Sequence, residues 1–191
     1  MEWIVETERL GLRKLTESDR PALCRILQDA DVMYAYAHAF SDAEVDAWLA
    51  RQIARYAVYG DFGLWAVILK ASGQMIGQCG ITMQDAGGRE VLEVGYLFEK
   101  AFWHRGYAAE AARACRDYAF QTLGAGAVYS IIRENNGPSL AVARKNGMEP
   151  KGNAVKLYYG MTMPHVVYGI EKNAWKRQKE KEDGYDGHGA V

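Results

Sequence analysis

"FWHRGYAAEAARACRDYAF", residues 102–120, sets one glycine behind a His–Arg pair and ahead of an alanine-rich amphipathic run. A helix that starts there leaves its first N–H groups without intrahelical partners and carries partial positive charge at that end, which favours an anion. Gly106 can take a positive φ and lets a ligand approach the backbone, while Ala108 and Ala109 keep the first turn open. Arg105 adds a charge beside it. Such a turn is also an ordinary way into a helix, so its meaning rests on what flanks it.

Working outward, "VLEVGYLF" precedes the turn and reads as a strand, the third of a meander with "FGLWAVILK" and "GQMIGQCGITM". Turns fall at Ser72–Gly73 and Gly87–Gly88. Earlier still, "LGLRKLT" alternates as a half-buried strand does, and "ESDRPALCRIL" carries Asp19 and Pro21 for a first helical turn. "SDAEVDAWLARQIARYAVYG" opens with Ser41 and Glu44 in capping-box spacing and predicts a long second helix. After the helix from about Gly106 to Leu123 come a strand, "AVYSIIR", and a short helix, "PSLAVARKNG", with Pro138 in its first turn and Gly147 at its end. The strands "KGNAVKLYY" and "HVVYGIE" follow. The order β, α, α, β, β, β, α, β, α, β, β describes a mixed α+β fold with helices covering a sheet, not the steady alternation of a doubly wound nucleotide fold.

With 191 residues, 49% of them apolar and 25% charged, the chain reads as one globular domain over residues 1–175. The charged, then glycine-rich, stretch 176–191 reads as a fraying tail. A net charge of −1 argues against nucleic acid as a partner. No apolar run is long enough to span a bilayer, and the acidic N-terminus lacks the basic start of a signal peptide, so no membrane partner and a cytoplasmic location are expected. Cys24, Cys79 and Cys115 are odd in number and without CxxC spacing, which suits reduced thiols. His38, His104, His165 and His188 share no metal-ligand spacing, so no metal is expected.

Taken together, "EVGYLFEKAFWHRGYAAEA" and, forty residues on, "NNGPSLAVARKNGM" resemble the GNAT N-acetyltransferase superfamily. The resemblance is strongest to the branch that acetylates protein N-terminal amines, including those of ribosomal proteins. Gly95, Tyr96, Phe98, Trp103, Gly106, Tyr107, Ala108, Glu110 and Ala111 fill that branch's first element; Asn136, Ser139, Lys145 and Gly147 fill its second, with Met148 in place of Phe. The resemblance implies a central, mostly antiparallel sheet of six to seven strands flanked by about four helices, with the fourth and fifth strands splayed. It implies acetyl-CoA as cosubstrate, with the backbone of Tyr96, Leu97 and Phe98 along the pantetheine arm. The amides of His104, Arg105, Gly106, Tyr107, Ala108 and Ala109 would lie at the pyrophosphate, and Asn136 would face the arm from the other side. Two departures stand out: Trp103 where many relatives begin the phosphate loop with Gln or Arg, and Ala143 where many carry a tyrosine that protonates the departing thiolate.

The expected reaction is direct attack of a primary amine, with a protein or peptide N-terminus as first choice of acceptor. Glu93, two residues before Gly95, is the candidate base, since an α-amine with pKa about 7.7–8.0 must lose a proton to attack. Ser139 is the candidate donor to the departing sulfur. Tyr34, Tyr36, His38 and Phe40, with Tyr158, Tyr159, Met161 and Met163, are candidates for the acceptor side. A small-amine acetyltransferase (aminoglycoside or polyamine) and a non-catalytic CoA-binding module stand as alternatives, and a homodimer is a possible assembly.

Overall fold

The computed structural model describes residues 2–60 and 62–185. Its elements in chain order are β1 (Val5–Glu6), β2 (Leu10–Lys14), α1 (Arg20–Leu27), α2 (Asp42–Val58), β3 (Leu64–Leu69), β4 (Gln74–Asp85) and β5 (Glu90–Phe98). They continue as α3 (Tyr107–Gln121), β6 (Ala127–Arg133), α4 (Gly137–Lys145), β7 (Glu149–Tyr158), β8 (Met161–Glu171) and α5 (Lys172–Tyr185). The strands form one sheet in the order β1-β2-β3-β4-β5-β6-β8-β7. Every pairing is antiparallel except β5 with β6. The described residues thus hold eight strands and five helices. The expected order recurs with β1, too short to show alternation, added at the start and α5 at the end.

Each face of the sheet has its own core. On one face α3 turns Ala111, Ala112, Cys115, Ala119 and Phe120 inward against Cys79, Ile81, Val94 and Val128. These small side chains at helical spacing let α3 lie close to β4 and β5. Two cysteines far apart in sequence meet here, with Cys79 Sγ 3.5 Å from Cys115 Sγ; both are free, and burial pushes the Cys115 thiol up. On the other face α1 and α2 pack Leu23, Ile26, Leu27, Val45 and Leu49 against Ala66, Ile68 and Met75. Helix α2 opens on its capping box: the Ser41 hydroxyl accepts from Glu44 N, and the Glu44 carboxylate accepts from Ser41 N at 2.8 Å.

The stretch from Lys176, expected to fray, is helical as far as Tyr185, so the anticipated domain edge at 175 falls inside α5. Residues 186–191 lie outside the described residues. What holds α5 is an anchor rather than an apolar stripe. Trp175, 8% exposed, stacks on Phe120 at 5.0 Å and donates its indole N–H to Asp117 at 2.7 Å. Asp117 also takes Lys179 at 3.0 Å and the buried Arg116 at 2.7 Å. One aromatic and one carboxylate hub do what the sequence pattern does not announce. No helix among the described residues is long and apolar enough to cross a membrane.

Candidate active site

β5 and β6 touch at one point, Glu93 opposite Tyr129, and then part. Past that point side chains stand in for the ladder. Ser130 Oγ donates to Val94 O at 2.9 Å, and Glu93 Oε1 accepts from Ile131 N at 3.0 Å. A parallel ladder would have joined that amide and that carbonyl to each other's strands.

This fixes which backbone groups of β5 face the gap. Carbonyls on one strand alternate in direction, and those of Val94 and Phe98 point toward β6, since Ser130 and Trp103 Nε1 (2.9 Å) donate to them. Tyr96, midway between, therefore turns its N–H and C=O toward the same gap, where no strand pairs with it. Leu97 faces the other way, opposite Gln78 on β4, so its backbone is not presented to the gap and only its side chain lines it. The Phe98 carbonyl is already occupied by the Trp103 indole, leaving its N–H. Trp103 thus has a structural task at the position where many relatives carry Gln or Arg.

Helix α3 begins at Gly106, with φ 81°. Glu110 N is the first amide bonded within the helix, to Gly106 O at 3.1 Å, so the amides of Tyr107, Ala108 and Ala109 are the orphan donors of this end. His104 is also left-handed, at φ 60°, an uncommon conformation for a residue with a Cβ. The loop is held from the side: Arg9 donates Nη1 to Arg105 O at 3.0 Å and Nε to Glu110 at 2.7 Å, and its guanidinium lies 4.5 Å from the Tyr107 ring centre. Thr7 Oγ1 donates to the same carboxylate at 2.6 Å. Burial pushes Glu110 up, but the Thr7 and Arg9 bonds outweigh it and hold the carboxyl below its ordinary range.

The gap opens into a cleft of about 610 Å³. Its walls include Glu93, Gly95 and Leu97 from one face of β5, Tyr96 from the other, and Asn136 and Ser139 at the start of α4. Register is unbroken along β4–β5, so Glu93, Gly95 and Leu97 share a face as alternation requires. Burial pushes the Glu93 carboxyl up, opposed by Lys156 and by the Ile131 amide. Burial also pushes the Tyr96 phenol up, with the Ser139 hydroxyl opposing; a phenol in that state stays protonated and can donate. Asn136 Oδ1 accepts twice within the protein, from Ser139 N at 3.1 Å and from Tyr34 Oη at 2.7 Å, so a bond to a ligand falls to its Nδ2. Ala143 is buried in the core and offers no acid.

Glu93, Tyr96, Leu97, Asn136 and Ser139 therefore meet in one cleft. Phe98 is buried beside it, and residues 104–109 lie outside its walls, with 104–106 on the exposed surface where α3 begins. The acceptor-side aromatics Tyr36, Phe40, Tyr158 and Tyr159 join the walls. Sequence reasoning weighed His165 only as a metal ligand, yet it also lines the cleft. Its Nδ1 must donate to Met163 O at 2.8 Å, because a carbonyl only accepts, which leaves Nε2 as a lone pair in the neutral ring. Burial pushes this imidazole's pKa down, against the Met163 bond and aided by Lys156 and Arg133. It lies inside β8, which begins at Met161, four residues before the strand start expected from the sequence.

Residues 9–149 match the model of the acetyltransferase (GNAT) domain. The chain is 36% identical over 143 residues, 74% of its own length and 83% of the relative's, to the uncharacterized protein YkkB of Bacillus subtilis (strain 168). It superposes with a TM-score of 0.74 at 29% identity on an acetyltransferase from Agrobacterium tumefaciens str. C58, covering 87% of this chain and 93% of that one. RimL, a ribosomal L7/L12 alpha-N-protein acetyltransferase solved with coenzyme A, shares the fold at TM-score 0.72 and 19% identity, over 91% and 99% of the two chains.

Proposed function

The chain belongs to the GNAT acetyltransferase family, acetyl-CoA-dependent N-acetyltransferases, and from that premise we propose that its acceptor is the α-amine of a protein or peptide N-terminus. The observation that carries the reading is the free backbone edge of Tyr96 beside the Glu93 carboxylate, in a cleft that opens through the sheet. The residues present fit the cosubstrate. The Tyr96 N–H and C=O and the Phe98 N–H would take the pantetheine arm as an extra strand, with Asn136 Nδ2 opposite. The orphan amides of Tyr107, Ala108 and Ala109 would hold the pyrophosphate, where the helix end is worth more to an anion than an exposed, salt-screened Arg105.

Glu93, kept near the amine and with its pKa raised, would accept the amine's proton directly or through one water. A backbone N–H at the gap would polarise the thioester carbonyl. The amine attacks that carbonyl carbon, the C–S bond breaks, and the sulfur leaves with its electron pair. Ser139, with the Tyr96 phenol beside it, would supply a proton or hydrogen bond to that sulfur. Direct transfer is favoured because Cys79 and Cys115 are buried in the core and none of Cys24, Cys79 and Cys115 lines the cleft.

A peptide rather than a compact amine is supported by the lip of the cleft. There Leu157 near the end of β7 and Tyr159 on the β7–β8 turn line the cleft and stand exposed. RimL, which shares the fold, acts on a protein N-terminus by name. The test is to offer peptides, spermidine and an aminoglycoside with acetyl-CoA and to map the acetyl group by mass spectrometry. Acetylation at peptide α-amines supports the reading; turnover of the polycations with untouched peptides would contradict it.

A further inference from the structure

The walls around Glu93 are cationic. Arg51 and Arg55 stand one turn apart on α2, Arg133 ends β6, Lys156 comes from β7, and among the described residues Glu93 is the one carboxylate lining the same cleft. Among the described residues the hydrogen-bond and ring partners of these four cations are neutral. Arg51 lies 5.1 Å from the Trp48 ring centre, and Arg55 donates to Gln52 at 3.3 Å. Lys156 donates to Gln84 at 3.4 Å, and Arg133 to the Tyr34 carbonyl at 3.2 Å. The acids of the neighbouring segment are spent elsewhere. Asp31 pairs with Lys100, and Asp46 and Asp42 with Arg20 at 2.5 and 3.4 Å. Glu44 accepts from Ser41 and His38 and, at the lip of the cleft, from the Tyr159 hydroxyl at 3.0 Å. Glu93, on which Lys156 acts, offsets part of this charge, and the cleft walls keep a positive excess.

A second observation adds an unpaired donor to the same wall. Gln78, fully buried in the cleft wall opposite Leu97, accepts from Trp48 Nε1 at 3.1 Å through Oε1, while its Nε2 has no partner. A buried N–H donor without an acceptor is costly, and a ligand oxygen would relieve it. Wall charges of one sign also focus the field within a cleft and attract the opposite sign.

We infer that the acceptor carries a carboxylate close to its amine: for a peptide N-terminus, Asp or Glu at the second or third position. This rests on the N-terminal-amine reading and names its substrate class. The same field disfavours polyamines and aminoglycosides, and it lowers the pKa of the bound amine, so that less is asked of Glu93.

The experiment compares peptides of equal length with the same free N-terminal Ser and with Asp-Glu, Asn-Gln or Lys-Lys following it, reading kcat/KM at low and high salt. The expected order is acidic over amide by about tenfold, chiefly through KM, and amide over lysine, with gaps that narrow as salt rises. Arg51→Gln and Lys156→Gln, checked for folding by thermal denaturation, should each move the acidic-to-amide ratio toward one. Equal rates for acidic and amide peptides, or a lysine peptide acetylated best, would overturn the charge preference while keeping the peptide reading. Acetylation of free aspartate or glutamate with no peptide turned over would keep the preference and remove the peptide.

Discussion

Glu93 Oε1 accepts the amide of Ile131 at 3.0 Å, so the carboxylate that lines the cleft also ends the pairing of β5 with β6. Glu93→Gln keeps an oxygen for that amide but loses the base. Acetyl-CoA binding, read by calorimetry, should persist while turnover near neutral pH falls by about 10²-fold or more. The deficit should shrink as pH rises and the amine loses its proton unaided. In the wild type, burial raises the Glu93 pKa, so kcat should drop with falling pH in a range above that of an ordinary carboxylate. An unchanged pH–rate profile in the variant would remove Glu93 from the chemistry.

Gly106→Val should weaken acetyl-CoA binding substantially. The residue sits at φ 81°, which a β-branched side chain resists, and its Cβ would lie 3.4 Å from the Arg9 guanidinium that steadies the loop. Arg105→Ala should cost less, because an exposed side-chain charge is screened. Titration calorimetry on folded variants reads both; equal affinities for Gly106→Val and wild type would contradict the pyrophosphate assignment.

Glu110→Gln should loosen the β1–β2 turn from α3, since the carboxylate takes Thr7 Oγ1 at 2.6 Å and Arg9 Nε at 2.7 Å. The cost should be roughly 1 kcal/mol, discounted for partial exposure. The folded pKa of Glu110 is depressed, so its contribution is present above the unfolded value and is lost as pH falls through the folded one. Denaturation of both proteins between neutral and strongly acidic pH should show the gap closing at the acid end.

Trp175→Ala should destabilise by about 3 kcal/mol, which for a chain of this size lowers Tm by roughly 10 °C. The indole stacks on Phe120 and donates to Asp117, so both packing and a hydrogen bond go. Removing residues 176–191 spares the indole and forfeits Gln178 on Gly147 and Lys179 on Asp117, so its effect should be smaller. Calorimetric melts of the two forms separate these cases.

The order of strands and helices along the chain was legible because it rests on local pattern. The splay of the fourth and fifth strands was implied by the family resemblance, and among the described residues the sheet holds eight strands where six to seven were expected. Alternation put Glu93 and Gly95 on one face, Ser41 and Glu44 announced α2, and Gly106 marked the mouth of α3. The bonds that shape the site follow no period, and most are long-range. Nothing local joins Trp103 to the Phe98 carbonyl in preference to solvent, Tyr34 to Asn136 across 102 positions, or Thr7 to Glu110 across 103. The family resemblance implied a backbone contact for Leu97 as for Tyr96; strand alternation turns its backbone to β4. The helix over Lys172–Tyr185 escaped notice because one tryptophan, not a stripe, fastens it.

The central claim is that the cleft beside Glu93 carries out direct transfer from acetyl-CoA to an amine. It is tested most directly by following free CoA thiol and acetylated product together, with and without an acceptor peptide, while weighing the intact protein by mass spectrometry. Direct transfer makes thiol and N-acetyl peptide appear one for one, with no thiol release without amine beyond slow hydrolysis and no acetylated protein at any time. An acetylated protein that forms before amine is added, or tight acetyl-CoA binding with no thiol released by any amine, would contradict it.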